Sequence, residues 1–139
     1  MKNSLLLFGI KCSVILYFAA CTGIDQYTTA VSATPHVIKG AWKVNLFTEA
    51  QNDKTKAFAG YELTFEPTGK IIASKNGKQV SGNWSEDEIL KRITITLDTK
   101  DPALAKLNDY WNISDISKAG LSFQRVENTS TEKLQITSL

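Results

Sequence analysis

Gly60-Tyr61-Glu62-Leu63-Thr64-Phe65-Glu66-Pro67-Thr68-Gly69-Lys70-Ile71-Ile72-Ala73-Ser74-Lys75-Asn76-Gly77-Lys78 is the stretch that decides the class of fold. Tyr61, Leu63 and Phe65 alternate with Glu62, Thr64 and Glu66, the period of two that a half-buried strand requires, because successive side chains point to opposite faces. Pro67 and Gly69 then supply the fixed φ and the permissive backbone of a tight turn. Lys70 to Lys75 returns as a short strand through Ile71 and Ile72. Asn76 and Gly77 both tolerate positive φ, which a two-residue hairpin turn demands if its twist is to match its strands. Lys78 to Ser85 continues with Val80, Gly82 and Trp84 in phase. These strands and their short turns make an antiparallel meander.

The pattern extends in both directions. Downstream, Ile93, Ile95 and Leu97 alternate with Thr94 and Thr96 between Arg92 and Asp98. Residues 101–108 differ: Asp101 can cap, Pro102 suits the first helical position, and Leu104 and Leu107 are spaced for one face of a short helix. Tyr110 to Ile116 is strand-like, Lys118-Ala119-Gly120 turns the chain, and Leu121, Phe123 and Arg125 share a face. Asn128-Thr129-Ser130 makes a loop before a last strand, Lys133 to Leu139, through Leu134 and Ile136. Upstream, Ile38, Trp42, Val44 and Leu46 fall on one face of a first strand, with Lys39, Lys43 and Asn45 on the other. About eight short strands joined by tight turns close most simply into a barrel, since closure removes the exposed sheet edges. The expected fold is all-β: an antiparallel up-and-down barrel with one short helix, formed by residues 36–139 as a single domain.

What precedes that domain has the character of an export leader. Met1-Lys2-Asn3-Ser4 is positively charged, and apolar segments follow from Leu5 to Ile10 and Cys12 to Ala20, split by Lys11. Ser13 to Ala20 is too short to span a bilayer but has the length of a signal-peptide hydrophobic region. Phe18-Ala19-Ala20-Cys21 resembles the lipobox of bacterial lipoproteins. The resemblance implies cleavage after residue 20, a diacylglyceryl group on the sulfur of Cys21 and acylation of its new amine. Several chains on one residue anchor stably, each buried methylene contributing about 0.8 kcal/mol. Residues 21–35, rich in Thr and Ser and without periodicity, read as a flexible tether. Thr22 is not the Asp that resembles an inner-membrane retention signal. The expected location is therefore the cell envelope, lipid-anchored, at the outer membrane facing the periplasm.

Charge and cysteine content narrow the function further. The chain has 16 Lys and Arg against 14 Asp and Glu, but Lys2 and Lys11 belong to the leader, so the remainder is formally neutral. A nucleic-acid binder needs a basic stripe to release counterions from phosphates, and none is visible, so no nucleic-acid partner is expected. Of the two cysteines, Cys12 leaves with the leader and Cys21 lies at the junction, which leaves the barrel without a disulfide or a cysteine metal site.

The domain as a whole resembles the small lipocalin-like lipoproteins of diderm bacteria. Gly40-Ala41-Trp42 is similar to the Gly-x-Trp motif of lipocalins, and Gly60-Tyr61-Glu62-Leu63-Thr64-Phe65, Gly82-Asn83-Trp84 and Leu107-Asn108-Asp109-Tyr110-Trp111 follow in matching order. The resemblance implies that Trp42 plugs the closed end of the barrel and that an arginine of a late strand, Arg125, packs across it through a cation–π contact.

Candidate chemistry is sparse. His36, the single histidine, stands beside Pro35 where tether meets strand and lacks an orienting acid or a set of metal ligands, so it reads as a solvated junction residue. Glu86-Asp87-Glu88 lacks the spacing of a calcium loop and reads as a solvated loop. No catalytic residue, metal site or cofactor is expected. Trp42, Tyr61, Phe65, Trp84, Trp111 and Phe123 either fill the core or line a lumen, because eight strands leave room for side chains or for one small ligand. Two functions follow. One is a membrane-tethered carrier of a small hydrophobic ligand, with those six aromatics lining the site. The other is a filled barrel that binds an envelope protein or inhibits an enzyme, with residues 86–90 or 101–108 making contact.

Overall fold

The computed structural model describes residues 31–127 and 129–139; the expected signal peptide, Cys21 and most of the tether lie outside them. In chain order the elements are helical turn α1 (Thr34–Val37), β1 (Ala41–Glu49), β2 (Asn52–Asp53), a 3-10 turn (Thr55–Phe58), β3 (Glu62–Phe65), β4 (Lys70–Lys75), β5 (Lys78–Asp87), β6 (Arg92–Leu97), helical turn α2 (Pro102–Ala105), β7 (Asp109–Ile116), β8 (Gly120–Glu127) and β9 (Ser130–Ser138). β1 pairs with β3, each later strand pairs antiparallel with the next, and β1 also pairs with β9, closing an eight-stranded up-and-down barrel. Short β2 lies outside this circuit and adds only the pairs Thr48–Asp53 and Glu49–Asn52.

The predicted turns take the conformations their residues favour. Asn76 and Gly77 have φ of 49° and 76°, and Lys75 and Lys78 face each other across the hairpin. Asp101 caps α2, its Oδ1 accepting from the N–H groups of Ala103 and Leu104 at 2.8 and 3.1 Å. Between β5 and β6 the glycine at position 82 is required by close approach. A Cβ there would stand 1.9 Å from the carbonyl oxygen of Thr96 and 2.7 Å from Cα of Leu97.

Three expectations need correction. Alternation in β1 does not run through: the register shifts between Val44 and Leu46, so Val44 faces Ile136 but Phe47, opposite Leu134, takes the next buried position. Leu46, opposite Gln135, moves to the outer wall. A bulge inserts one residue and reverses the faces that follow, which a period-2 reading cannot anticipate. Second, the packed body begins before residue 36. Ala33 and Val37 are fully buried, and α1 covers the barrel end where β1 starts. Third, Glu86 is no loop residue. It lies in β5, half-buried, and its carboxylate accepts from the Ser32 hydroxyl, the Ala33 N–H, and the N–H and hydroxyl of Thr34.

Each end of the barrel has its own closure. At the α1 end, Trp42 donates its indole N–H to the carbonyl of Val37 at 2.7 Å, and Trp84 donates to that of Glu66 at 2.9 Å. At the α2 end, Trp111 donates to Leu107 at 2.9 Å, while Asn108 bonds both the N–H and the carbonyl of Leu97. Buried indoles and amides thus satisfy backbone groups that strand pairing leaves over.

Two outcomes test this account. Gly82→Ala should lower unfolding free energy by about 2–3 kcal/mol in urea titration, the cost of overpacking against backbone that cannot rotate away. For Glu86, burial pushes its carboxyl up, but the hydrogen bonds from Thr34, Ala33 and Ser32 outweigh it and hold it below the usual glutamate range. A lowered folded-state pKa gives stability that is fully present above the unfolded-state value and lost as pH falls through the folded one. Glu86→Ala should therefore cost about 1–2 kcal/mol at neutral pH, like the loss of a helix cap. The difference from the unsubstituted protein should shrink as urea titrations are repeated below the glutamate range.

Candidate functional site

The six aromatics nominated by sequence do not surround one cavity. Phe65 and Trp84 meet edge to face at 5.5 Å towards the α1 end, where Trp42 also lies. Trp111 packs on Phe47 at 6.1 Å towards the α2 end, and Phe47 in turn on Phe58 at 5.0 Å. Trp42, Phe65, Trp84, Trp111 and Phe123 are all exposed by 7% or less, so each occupies interior space itself. Tyr61, by contrast, borders an open cleft.

Arg125 does not reach Trp42. Its guanidinium lies 4.4 Å from the ring centre of Trp111, at the other end of the barrel. Its Nε donates to Glu132, also buried, while Nη1 and Nη2 reach the carbonyls of Asn108 and Lys106 at 3.3 Å. Asp109 lies 3.4 Å from Nη1. The reason is register: Arg125 opposes Glu132 near the β8–β9 turn, whereas Trp42 starts β1 at the opposite rim. Sequence reasoning had the inward face of Arg125 but not its height in the barrel. It also missed Glu132, whose place opposite Arg125 only strand pairing reveals.

The cleft beside Tyr61 opens at the α2 end and measures about 300 Å³. Ala73 and Val80, paired across β4 and β5, form its apolar floor; Tyr61, Lys75, Asn76 and Lys78 form its rim. The Asn76-Gly77 turn sets both lysines on this rim. Lys75 places its ammonium 4.8 Å from the ring centre of Tyr61 and its aliphatic stem against Gly60. The Tyr61 hydroxyl donates to Oδ2 of Asp101 at 2.6 Å. That bond holds the Asp101 carboxyl below its usual range, helped by the N–H groups of Leu104 and Ala103, and pushes the Tyr61 phenol up. Tyr61 is therefore a fixed wall with its proton committed, and Lys75 and Lys78 supply the cationic groups of the rim. Such a cleft suits an apolar body carrying an anionic end, at the small end of ligand-site volumes.

A larger depression of about 470 Å³ lies on the outer wall, lined by Leu46, Thr48, Gln51, Thr131 and Lys133. It has a single cation and no buried floor, so fewer groups converge there. Among the described residues, no three of His, Cys, Asp and Glu are grouped to hold a metal ion.

Removing one partner of the buried pair tests the α2-end network. Glu132→Ala leaves the Arg125 charge in the interior and should cost about 3 kcal/mol of stability, read from chemical denaturation.

No protein-family model and no curated protein matches the chain. A solved structure of a DUF4847 family protein from Bacteroides vulgatus ATCC 8482 is similar in fold, with a TM-score of 0.59 and 15% sequence identity over 78% of this chain and 98% of that one. At that identity the likeness is one of architecture: a small antiparallel barrel.

Proposed function

We propose that this chain is a lipocalin-like lipoprotein of the bacterial envelope, anchored through Cys21, that binds a small amphipathic molecule at the rim of its barrel. The observation that carries the reading is the contrast between interior and rim. Aromatic side chains occupy the interior, while the cleft at Tyr61, Lys75 and Lys78 keeps a volume of about 300 Å³ above the apolar floor of Ala73 and Val80. A hydrophobic tail would rest on that floor, and a carboxylate or phosphate would meet the two ammoniums. The leader sequence, ending in Ala19-Ala20-Cys21, supports the anchor and the outer-membrane location facing the periplasm. No catalytic role, cofactor or nucleic-acid partner enters this proposal. The filled interior equally supports a second reading, an interaction module that docks an envelope protein and carries no ligand.

Native mass spectrometry of the full chain, processed in a diderm host and released in mild detergent, separates the two. A carrier should show a non-covalent mass that leaves on denaturation, and a fluorescent fatty acid should bind about tenfold more weakly to the Lys75→Ala variant, the loss of one good charged contact. Absence of both the bound mass and fatty-acid uptake would overturn the carrier and leave the interaction module.

A further inference from the structure

The β5–β6 hairpin ends in two exposed aliphatic residues, Ile89 at 92% and Leu90 at 54% of full exposure. Single exposed aliphatics are ordinary on a protein surface, but two in succession at the outermost point of a turn put apolar area where none of the described residues covers it. The turn is well braced. Asp87 accepts the Leu90 N–H through Oδ1 at 2.9 Å, and the carbonyl of Lys91 accepts the Ile113 N–H at 2.8 Å. The tip is thus held in place by the Asp87 side chain and by the neighbouring strand β7.

Its position matters more than its composition. Glu86, three residues before Ile89, grips the point where the N-terminal segment meets the barrel, through Ser32 at 2.8 Å and Ala33 at 2.7 Å. The chain therefore leaves the body beside the hairpin, with Val31, itself 65% exposed, at the exit. Ten Cα–Cα steps, through nine intervening residues, separate Cys21 from Val31. At 3.3–3.6 Å per residue they span at most about 35 Å, so lipid on Cys21 keeps this end of the barrel close to the bilayer.

We propose that Ile89 and Leu90 dip into the surface of the bilayer that holds the Cys21 lipid, as a second, apolar foothold that fixes the orientation of the barrel. The proposal rests on the lipid-anchor reading of Cys21. Asp87 and Glu88 before the tip balance Lys91 and Arg92 after it, so the foothold is apolar and insensitive to salt. Behind it, Arg92 lies 5.3 Å from the ring centre of half-exposed Tyr110, an amphipathic pair that suits the headgroup layer. The Tyr61 cleft is at the other end of the strands and so faces away from the membrane.

The test uses the full chain carrying Ile89→Cys, processed in a diderm host and reconstituted into phosphatidylethanolamine and phosphatidylglycerol vesicles. A lipidated Cys21 has no free thiol, so an environment-sensitive dye reports from position 89 alone. Val126→Cys, exposed by 65% near the far end of the barrel, is the control site. The expected result at 89 is a blue shift and loss of emission to nitroxide-bearing lipids, unchanged at high salt, with neither effect at 126. Intact mass identifies the lipid on Cys21 in the same sample. A lipidated protein whose dye at 89 behaves like that at 126 overturns the foothold alone. A protein without the added mass overturns the anchor reading, and the foothold with it.

Discussion

Pairing of β1 with β9 is the constraint on which the rest of this molecule depends. Without it the meander would be an open sheet with two unpaired edges and an apolar face turned to water. With it, eight strands enclose a space so narrow that a few aromatic side chains fill it. The pairing is itself irregular. The bulge between Val44 and Leu46 sends Phe47 inward, and Phe47 bridges Phe58 to Trp111, tying the segment after β1 to the core. Gly82 serves closure from the opposite side, since only a residue without Cβ lets β5 come so near the backbone of β6.

The two ends are finished by different physics. At the α1 end, a helical turn is bound by one carboxylate: Glu86 gathers donors from Ser32, Ala33 and Thr34 and secures the chain at its entry to the body. At the α2 end, a buried ion pair stands on an indole face, with Arg125 between Glu132 and Trp111. A buried pair adds little net stability over an apolar replacement of the same shape, but either partner alone is costly. Its consequence is geometric: Arg125 also reaches the carbonyls of Lys106 and Asn108, and so holds the chain after α2 against the barrel mouth.

This asymmetry gives the proposed function its direction. The end secured by Glu86 is where the chain leads back towards Cys21. The opposite end carries a cleft in which an apolar floor and two cations converge. A barrel filled by its own side chains leaves no room for a ligand among them, which is why the proposed function is placed at the rim and the loops, where side chains answer to solvent rather than to packing.

Alternation in residues 61–66, the Asn76-Gly77 turn and the Asp101-Pro102 cap were sufficient by themselves to determine a strand, a hairpin and the short helix, because each is a local matter of backbone preference and of which face meets water. Tyr61 could likewise be nominated from its place in the clearest strand. Only the tertiary structure decided the rest. Whether Arg125 met Trp42 or Trp111 depended on its height in a closed barrel. Whether Glu86 was solvated depended on Ser32, Ala33 and Thr34, more than fifty residues away. Whether aromatics lined a cavity or filled one depended on how residues from remote strands, such as Phe47 with Trp111 and Phe65 with Trp84, meet inside the closed barrel. These are distances between segments remote in sequence, set when closure fixes every strand against its neighbours, and no local pattern records them.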